Sequence, residues 1–186
     1  MNNLQELVDS NKSYIIYKSD IGFDLYTNFS KKIILTNNNI KDFINNVTRF
    51  KFKKKETDLF LGFFGYEILN NLIGVNIKKQ KNFNFPKGIF YKPETKIKLK
   101  NKINYKSLQS TKHKKSFKIN INKTSYKVIF DKFKKRIKSG ETYQIKICTK
   151  YSNKSEIDAL DFFCRLVKTN MAPEAFMIKD KDYSII

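Results

Sequence analysis

"KTSYKVIFDKFKKRIKSGETYQIKICTK", residues 123–150, changes its hydrophobic period at a single glycine. Before Gly140, the residues Tyr126, Ile129, Phe130, Phe133 and Ile137 recur at i, i+3, i+4, i+7 and i+11, the spacing that gathers apolar side chains on one face of an α-helix. Lys132, Lys135 and Arg136 fall on other faces, and cations near the C-terminus complement the helix dipole. Thr124 or Ser125 can cap the first turn, and Gly140 stands where a left-handed residue ends a helix. After it, Tyr143, Ile145, Ile147 and Thr149 alternate with Gln144, Lys146, Cys148 and Lys150, the period of a strand. A helix stopped by glycine and followed by a strand points to an α+β fold.

Both flanks keep this style. Downstream, "SEIDALDFFCRLVK" (155–168) is a second amphipathic helix with Ser155 as its cap, and "AFMIKDKDYSII" (175–186) reads as a hairpin whose second strand runs to the chain's end. Upstream, "YIIY" (14–17), "FDLY" (23–26) and "KIIL" (32–35) read as consecutive strands parted by Gly22 and by Asn/Ser clusters. In "IKDFINNVTRF" (40–50), Ile40, Phe43, Ile44 and Val47 have helical spacing behind an Asn cap.

In "DLFLGFFGYEILNNLIG" (58–74), Gly62 and Gly65 interrupt large residues, so the backbone bends there or another element comes close. Tyr66, Leu69, Asn70 and Ile73 then take helical spacing that closes at Gly74. "NFNFPKGIFYKPET" (82–95), with Pro86, Gly88 and Pro93, is extended and turn-bearing. Residues 96–118 begin as an alternating strand and dissolve into lysine. The chain therefore divides into 1–100, a Lys-rich linker or exposed hairpin at 101–118, and a second unit at 119–186. His113, the one histidine, has lysines about it and no positioned acid, so it reads as a solvated loop residue rather than a catalyst.

The net charge of +21 over 186 residues would ordinarily suggest a nucleic-acid or membrane partner. Only Arg49, Arg136 and Arg165 are arginines, whereas phosphate and base recognition leans on the arginine fork. The lysines run from end to end among Asn, Ile, Phe and Tyr, all residues of AT-rich codons, so nucleotide bias accounts for the set. The rival from another class is a basic RNA-binding module with "RFKFKKK" (49–55) as its footprint, whose affinity would fall steeply with salt. Cys148 and Cys164 form no CxxC pair, which indicates neither a zinc site nor a disulfide framework. The start "MNNLQELVDS" has no basic-then-apolar leader, and the longest nearly apolar run, "LFLGFFGY", is far shorter than a membrane span. A cytoplasmic protein with no nucleic acid and no membrane as partner is expected.

The order helix, "SGETYQIKIC", helix, "NMAPEAFMI", "DYSII" resembles the opening of the chorismate-binding domain in the large subunits of anthranilate synthase and aminodeoxychorismate synthase. Gly140, Glu141 and Gln144 match the family's G-D-x-x-Q-V-type motif, and Asn170, Ala172 and Pro173 match its N-P-S-P-Y-M or N-x-A-P-type turn. "FLGFFGYE" is similar to the G-x-x-G-Y motif through Gly62, Gly65 and Tyr66, and "FPKGIFYKPE" to the proline-bearing strand after it. "YKSDIGFDLYTNFS" resembles the L-L-E-S…R-Y-S stretch, with Ser19 at its serine, but Lys18 stands at the glutamate and Asn28 at the arginine. Read from the residues alone, Gly140 is a helix stop, Gln144 a strand residue, Gly62, Gly65 and Tyr66 packing residues, and Pro173 a turn.

The resemblance implies an α+β enzyme of mixed or antiparallel sheets with packed helices, seen here as its N-terminal part. It implies chorismate as substrate, Mg²⁺ as cofactor, and a glutamine amidotransferase subunit as the source of ammonia. In the anthranilate branch, pyruvate is eliminated on the way to tryptophan. The resemblance puts the metal ligands and the catalytic acid/base beyond Ile186, so no catalytic residue is named here and the 186 residues alone are expected to be inactive. It also places an L-tryptophan effector site at Ser19 and at Pro173, Glu174 and Ala175. There Glu stands for the family's Tyr and Ala for its Met, and a buried Glu174 would repel a ligand carboxylate. "FPKGIFYKPE" and the upstream layout favour anthranilate synthase; "NMAPEAF" echoes the aminodeoxychorismate branch.

Overall fold

The computed structural model describes residues 4–49, 55–68, 73–74, 85–99, 116–153 and 157–186. Leu69 and Asn70, most of "RFKFKKK", most of the 101–118 stretch with His113, and Ser155 lie outside them. The chain divides into two compact units, Met1–Ser107 with Ala159–Ile186, and Leu108–Asp158.

The first unit contains α1 (Leu4–Asp9), β1 (Tyr14–Ser19), β2 (Gly22–Ile34), α2 (Ile40–Thr48), β3 (Leu61–Phe64) and β4 (Gly88–Leu99). The second contains β5 (Lys118–Ile119), α3 (Lys123–Lys138) and β6 (Tyr151–Ser152); the chain then returns to the first with α4 (Ala159–Thr169), β7 (Ala175–Lys179) and β8 (Ser184–Ile185). The first unit is built on an antiparallel sheet of order β3-β4-β2-β1-β7-β8. This is the α+β architecture expected, and the pairing of β1 with β7 carries the end of the chain into the sheet.

Successive side chains of a strand point to opposite faces, and "YIIY" uses both. Tyr14 and Ile16 join Leu25, Met177, α1 residues Leu4 and Val8, and α4 residues Leu160, Phe163 and Cys164 in one core. Ile15 joins Tyr26, Ile89, Tyr91 and Ile178 in a second, against which Tyr17 and Phe29 pack. A third core lies under α2, where Ile40 and Phe43 meet Leu35 and Ile68.

"FDLY" and "KIIL" are not separate strands. They belong to one 13-residue β2, and the Asn28–Ser30 stretch is a bulge within it rather than a turn. Asn28 takes φ 53, a conformation Asn tolerates, and the register shifts between Phe29 and Lys31. Pro93 likewise lies inside β4, opposite Phe29 at the bulge, where its missing N–H costs the ladder least.

Gly62 pairs with Phe90, and a Cβ there would come 1.9 Å from the Ile89 carbonyl oxygen. Gly65 donates its N–H to the Lys87 oxygen at 2.6 Å, and a Cβ on it would stand 2.2 Å from that oxygen. Both glycines thus permit close backbone approach. Gly62→Ala is expected to lose about 1–3 kcal/mol, read as a lower urea midpoint, because backbone cannot yield as a side chain can.

In the second unit, α3 ends as its sequence dictates. Gly140 has φ 76, its N–H donates to the Ile137 oxygen at 3.1 Å, and Glu141 N–H donates to the Arg136 oxygen at 3.1 Å, the paired bonds of a Schellman stop. The cap at the other end is Asn122, not Thr124 or Ser125: its Oδ1 accepts the Ser125 N–H at 2.8 Å. Residues 144–150 keep their alternation, with Ile145, Ile147 and Thr149 less exposed than Gln144, Lys146, Cys148 and Lys150, but Tyr143 is exposed rather than on their side and the stretch forms no strand. The ladder is confined to Tyr151–Ser152 against Lys118–Ile119, with Asn120 and Lys150 exchanging two further bonds. Alternation supplies a face, but a strand also needs a neighbour for its N–H and C=O groups.

Candidate functional site

β1 ends in Tyr17, Lys18 and Ser19, and its register sets Tyr17 opposite Phe176 and Lys18 opposite Ala175. The turn after α4 therefore meets the end of β1. That turn is shaped by the Asn170 N–H on the Leu166 oxygen at 2.8 Å and the Ala172 N–H on the Asn170 oxygen at 2.7 Å. Lys18 Nζ donates to the Ala172 oxygen at 2.9 Å and to the Pro173 oxygen at 3.2 Å. On the opposite face of β1, the nearby Glu174 carboxylate raises the Tyr17 hydroxyl's pKa.

The structure thus brings Ser19, Asn170, Pro173, Glu174 and Ala175 to one end of the β1–β7 pair. Ser19 and Ala175 are half-buried; Pro173 and Glu174 are exposed, so Glu174 is not the buried carboxylate considered above. Gly62, Gly65 and Tyr66 lie elsewhere, at the β3 edge, and Tyr66 is exposed. Gly140 and Gln144 belong to the second unit.

A cluster that sequence reasoning missed lies one strand length away. Asp180, at the end of β7, is only 4 % exposed. Its Oδ1 accepts from Ser13 Oγ at 3.1 Å and the Lys181 N–H at 2.7 Å. Its Oδ2 accepts from the Tyr91 and Tyr183 hydroxyls and pairs with Lys32 Nζ at 2.6 Å. Burial by itself would raise the carboxyl's pKa, but Lys32, Tyr91 and the Lys181 N–H outweigh it and hold it well below the usual range. Burial and the hydrogen bond to Asp180 push the Tyr91 hydroxyl well above the tyrosine range. Lys32 and Tyr91 are cross-strand partners, so two strands and a hairpin are tied at one carboxylate. "KDKDY" reads as a polar turn, and no local pattern marks Asp180 as buried.

On β2, burial followed by the Asp24 carboxylate pushes the Tyr26 hydroxyl to about 12. Among the described residues there is no group of three His, Cys, Asp or Glu able to hold a metal ion, so these residues do not form a Mg²⁺ site. Among the described residues no helix is long and apolar enough to cross a membrane.

Comparison with curated protein sequences gives no match. A family model described as chorismate binding enzyme matches residues 6–186, which takes in both the β1 end and the turn that meets it. The chain belongs to the chorismate-binding enzyme family.

Proposed function

We propose that the protein works as the large subunit of anthranilate synthase. In this reading chorismate and ammonia give anthranilate, pyruvate and water. Nitrogen bonds to the ring, the ring hydroxyl leaves as water, and the enolpyruvyl side chain departs as pyruvate while the ring becomes aromatic. A glutamine amidotransferase subunit supplies the ammonia in the cytoplasm. Mg²⁺ would screen the dianionic substrate's carboxylate, and no step is assigned to it because the described residues offer no ligand group.

The observation that carries the reading is the β1–β7 register. It sets Lys18 opposite Ala175 and so joins the two segments that the anthranilate-type layout requires to form one effector site, Ser19 and Pro173–Ala175. The N-x-A-P pattern of Asn170–Pro173 favours a second reading, aminodeoxychorismate synthase, which stops before pyruvate is lost. Pyruvate stoichiometry separates the two. The protein expressed from its whole reading frame, given chorismate, ammonium and Mg²⁺, is expected to release one pyruvate per chorismate consumed; chorismate loss without pyruvate would favour the second reading.

A further inference from the structure

Three of the groups that hold Asp180 are placed without its help. Lys32 and Tyr91 are direct partners in the β2–β4 ladder, which runs from Phe23 to Ile34 along β2. Tyr91 is 2 % exposed and Phe29 packs on its ring at a centroid separation of 4.9 Å, so the sheet fixes the direction of its hydroxyl. Lys32 Nζ stands over the same ring, 5.9 Å from its centroid. Ser13 immediately precedes β1, whose backbone is paired with β2 from Ile15 to Ser19. One ammonium and two hydroxyls converging in this way can donate to both oxygens of a carboxylate.

Asp180 reaches the same point from another segment, the turn of the β7–β8 hairpin. Its Oδ1 takes the Ser13 hydroxyl and its Oδ2 takes Tyr91 and Lys32. The Lys181 N–H and the Tyr183 hydroxyl come from the hairpin itself. The Lys32 side chain is 45 % exposed, which leaves a route from solvent along its stem. We infer that Ser13, Lys32 and Tyr91 form a carboxylate-binding site prepared by the β1–β2–β4 part of the sheet. Asp180 is the ligand that the chain itself carries to this site, and a small free monocarboxylate takes its place when the aspartate side chain is absent. In the unaltered protein the tethered group wins, because its effective concentration exceeds that of a free anion.

The test is thermal melting of the whole chain at neutral pH in sodium formate, against sodium chloride of equal ionic strength. Asp180→Ala, which leaves room for one formate, is expected to melt about 2–5 °C higher in formate at roughly ten times its Kd. The unaltered protein, and Asp180→Asn with its amide in the same space, should melt alike in the two salts. Lys32→Met added to Asp180→Ala should abolish the gain, since the stem remains but the cation is lost. If Asp180→Ala is unfolded in chloride, refolding from urea gives the same readout: recovery of the folded state in formate is expected. Equal melting of Asp180→Ala in the two salts would overturn the inference, as would a gain shared by Asp180→Asn or the unaltered protein. Failure of Asp180→Ala to refold in either salt would overturn it too, because the donors would then depend on the hairpin for their positions.

Discussion

Asp180→Ala is expected to destabilise the first unit by about 3 kcal/mol, seen as a lowered urea midpoint at neutral pH. Removal of the carboxylate leaves the Tyr91 hydroxyl, whose residue is 2 % exposed, with the Tyr183 hydroxyl at 3.1 Å as its remaining partner, and deprives Ser13 of an acceptor. Lys32 contributes less to the loss, because its side chain is 45 % exposed and its ammonium returns to water. The same site sets a pH dependence. Asp180 ionises far more easily folded than unfolded, so its contribution is complete above the ordinary value of 3.8 and is lost as pH falls from there toward the depressed folded value. Urea midpoints should therefore be level through neutrality and fall below about pH 4. Asp180→Asn should remove much of that acid slope, and an unchanged slope would show that other carboxylates govern it.

Phe163→Ala is expected to cost more, about 3–5 kcal/mol. Phe163 is fully buried, and it seats α4 on the sheet face formed by Ile16, Leu25 and Met177. A small side chain leaves a cavity that neighbouring strands, fixed by their ladders, cannot fill. Phe162, the adjacent residue on α4, is 43 % exposed, and its alanine variant should stay within about 0.5 kcal/mol of the unaltered protein. Equal losses for the two would mean that α4 does not sit on the sheet as described. Since α4 leads directly into the Asn170–Pro173 turn, Phe163→Ala should also loosen the Lys18 contact, visible as faster amide exchange at Ala172.

Helices α2, α3 and α4 were legible because their signal is local, whereas the six-residue α1 was not read from the sequence. Ile40 and Phe43 in α2, and Leu160, Phe163 and Cys164 in α4, are the periodic positions and the buried ones. Gly140 was legible as a stop because few other residues take its φ without strain. The bulge at Asn28–Ser30 was not, because Asn and Ser favour turns and bulges alike, and only the partner strand decides between them. The alternation at 143–150 promised a ladder, but partner N–H and C=O groups are not written in the strand's own residues. At the candidate site, Ser19 and Pro173–Ala175 were found through resemblance to a family. The contact that joins them, Lys18 to the turn carbonyls, depends on β1 meeting β7. Asp180 was illegible for the same reason: its burial follows from Tyr91, Lys32 and Ser13 arriving from three other segments.

Chorismate turnover is the most direct test of the account. The protein expressed from its whole reading frame is mixed with chorismate, ammonium and Mg²⁺, and anthranilate fluorescence is followed over time. The account predicts ammonium-dependent fluorescence growth matched by loss of chorismate. Chorismate left unchanged by a folded protein would contradict it.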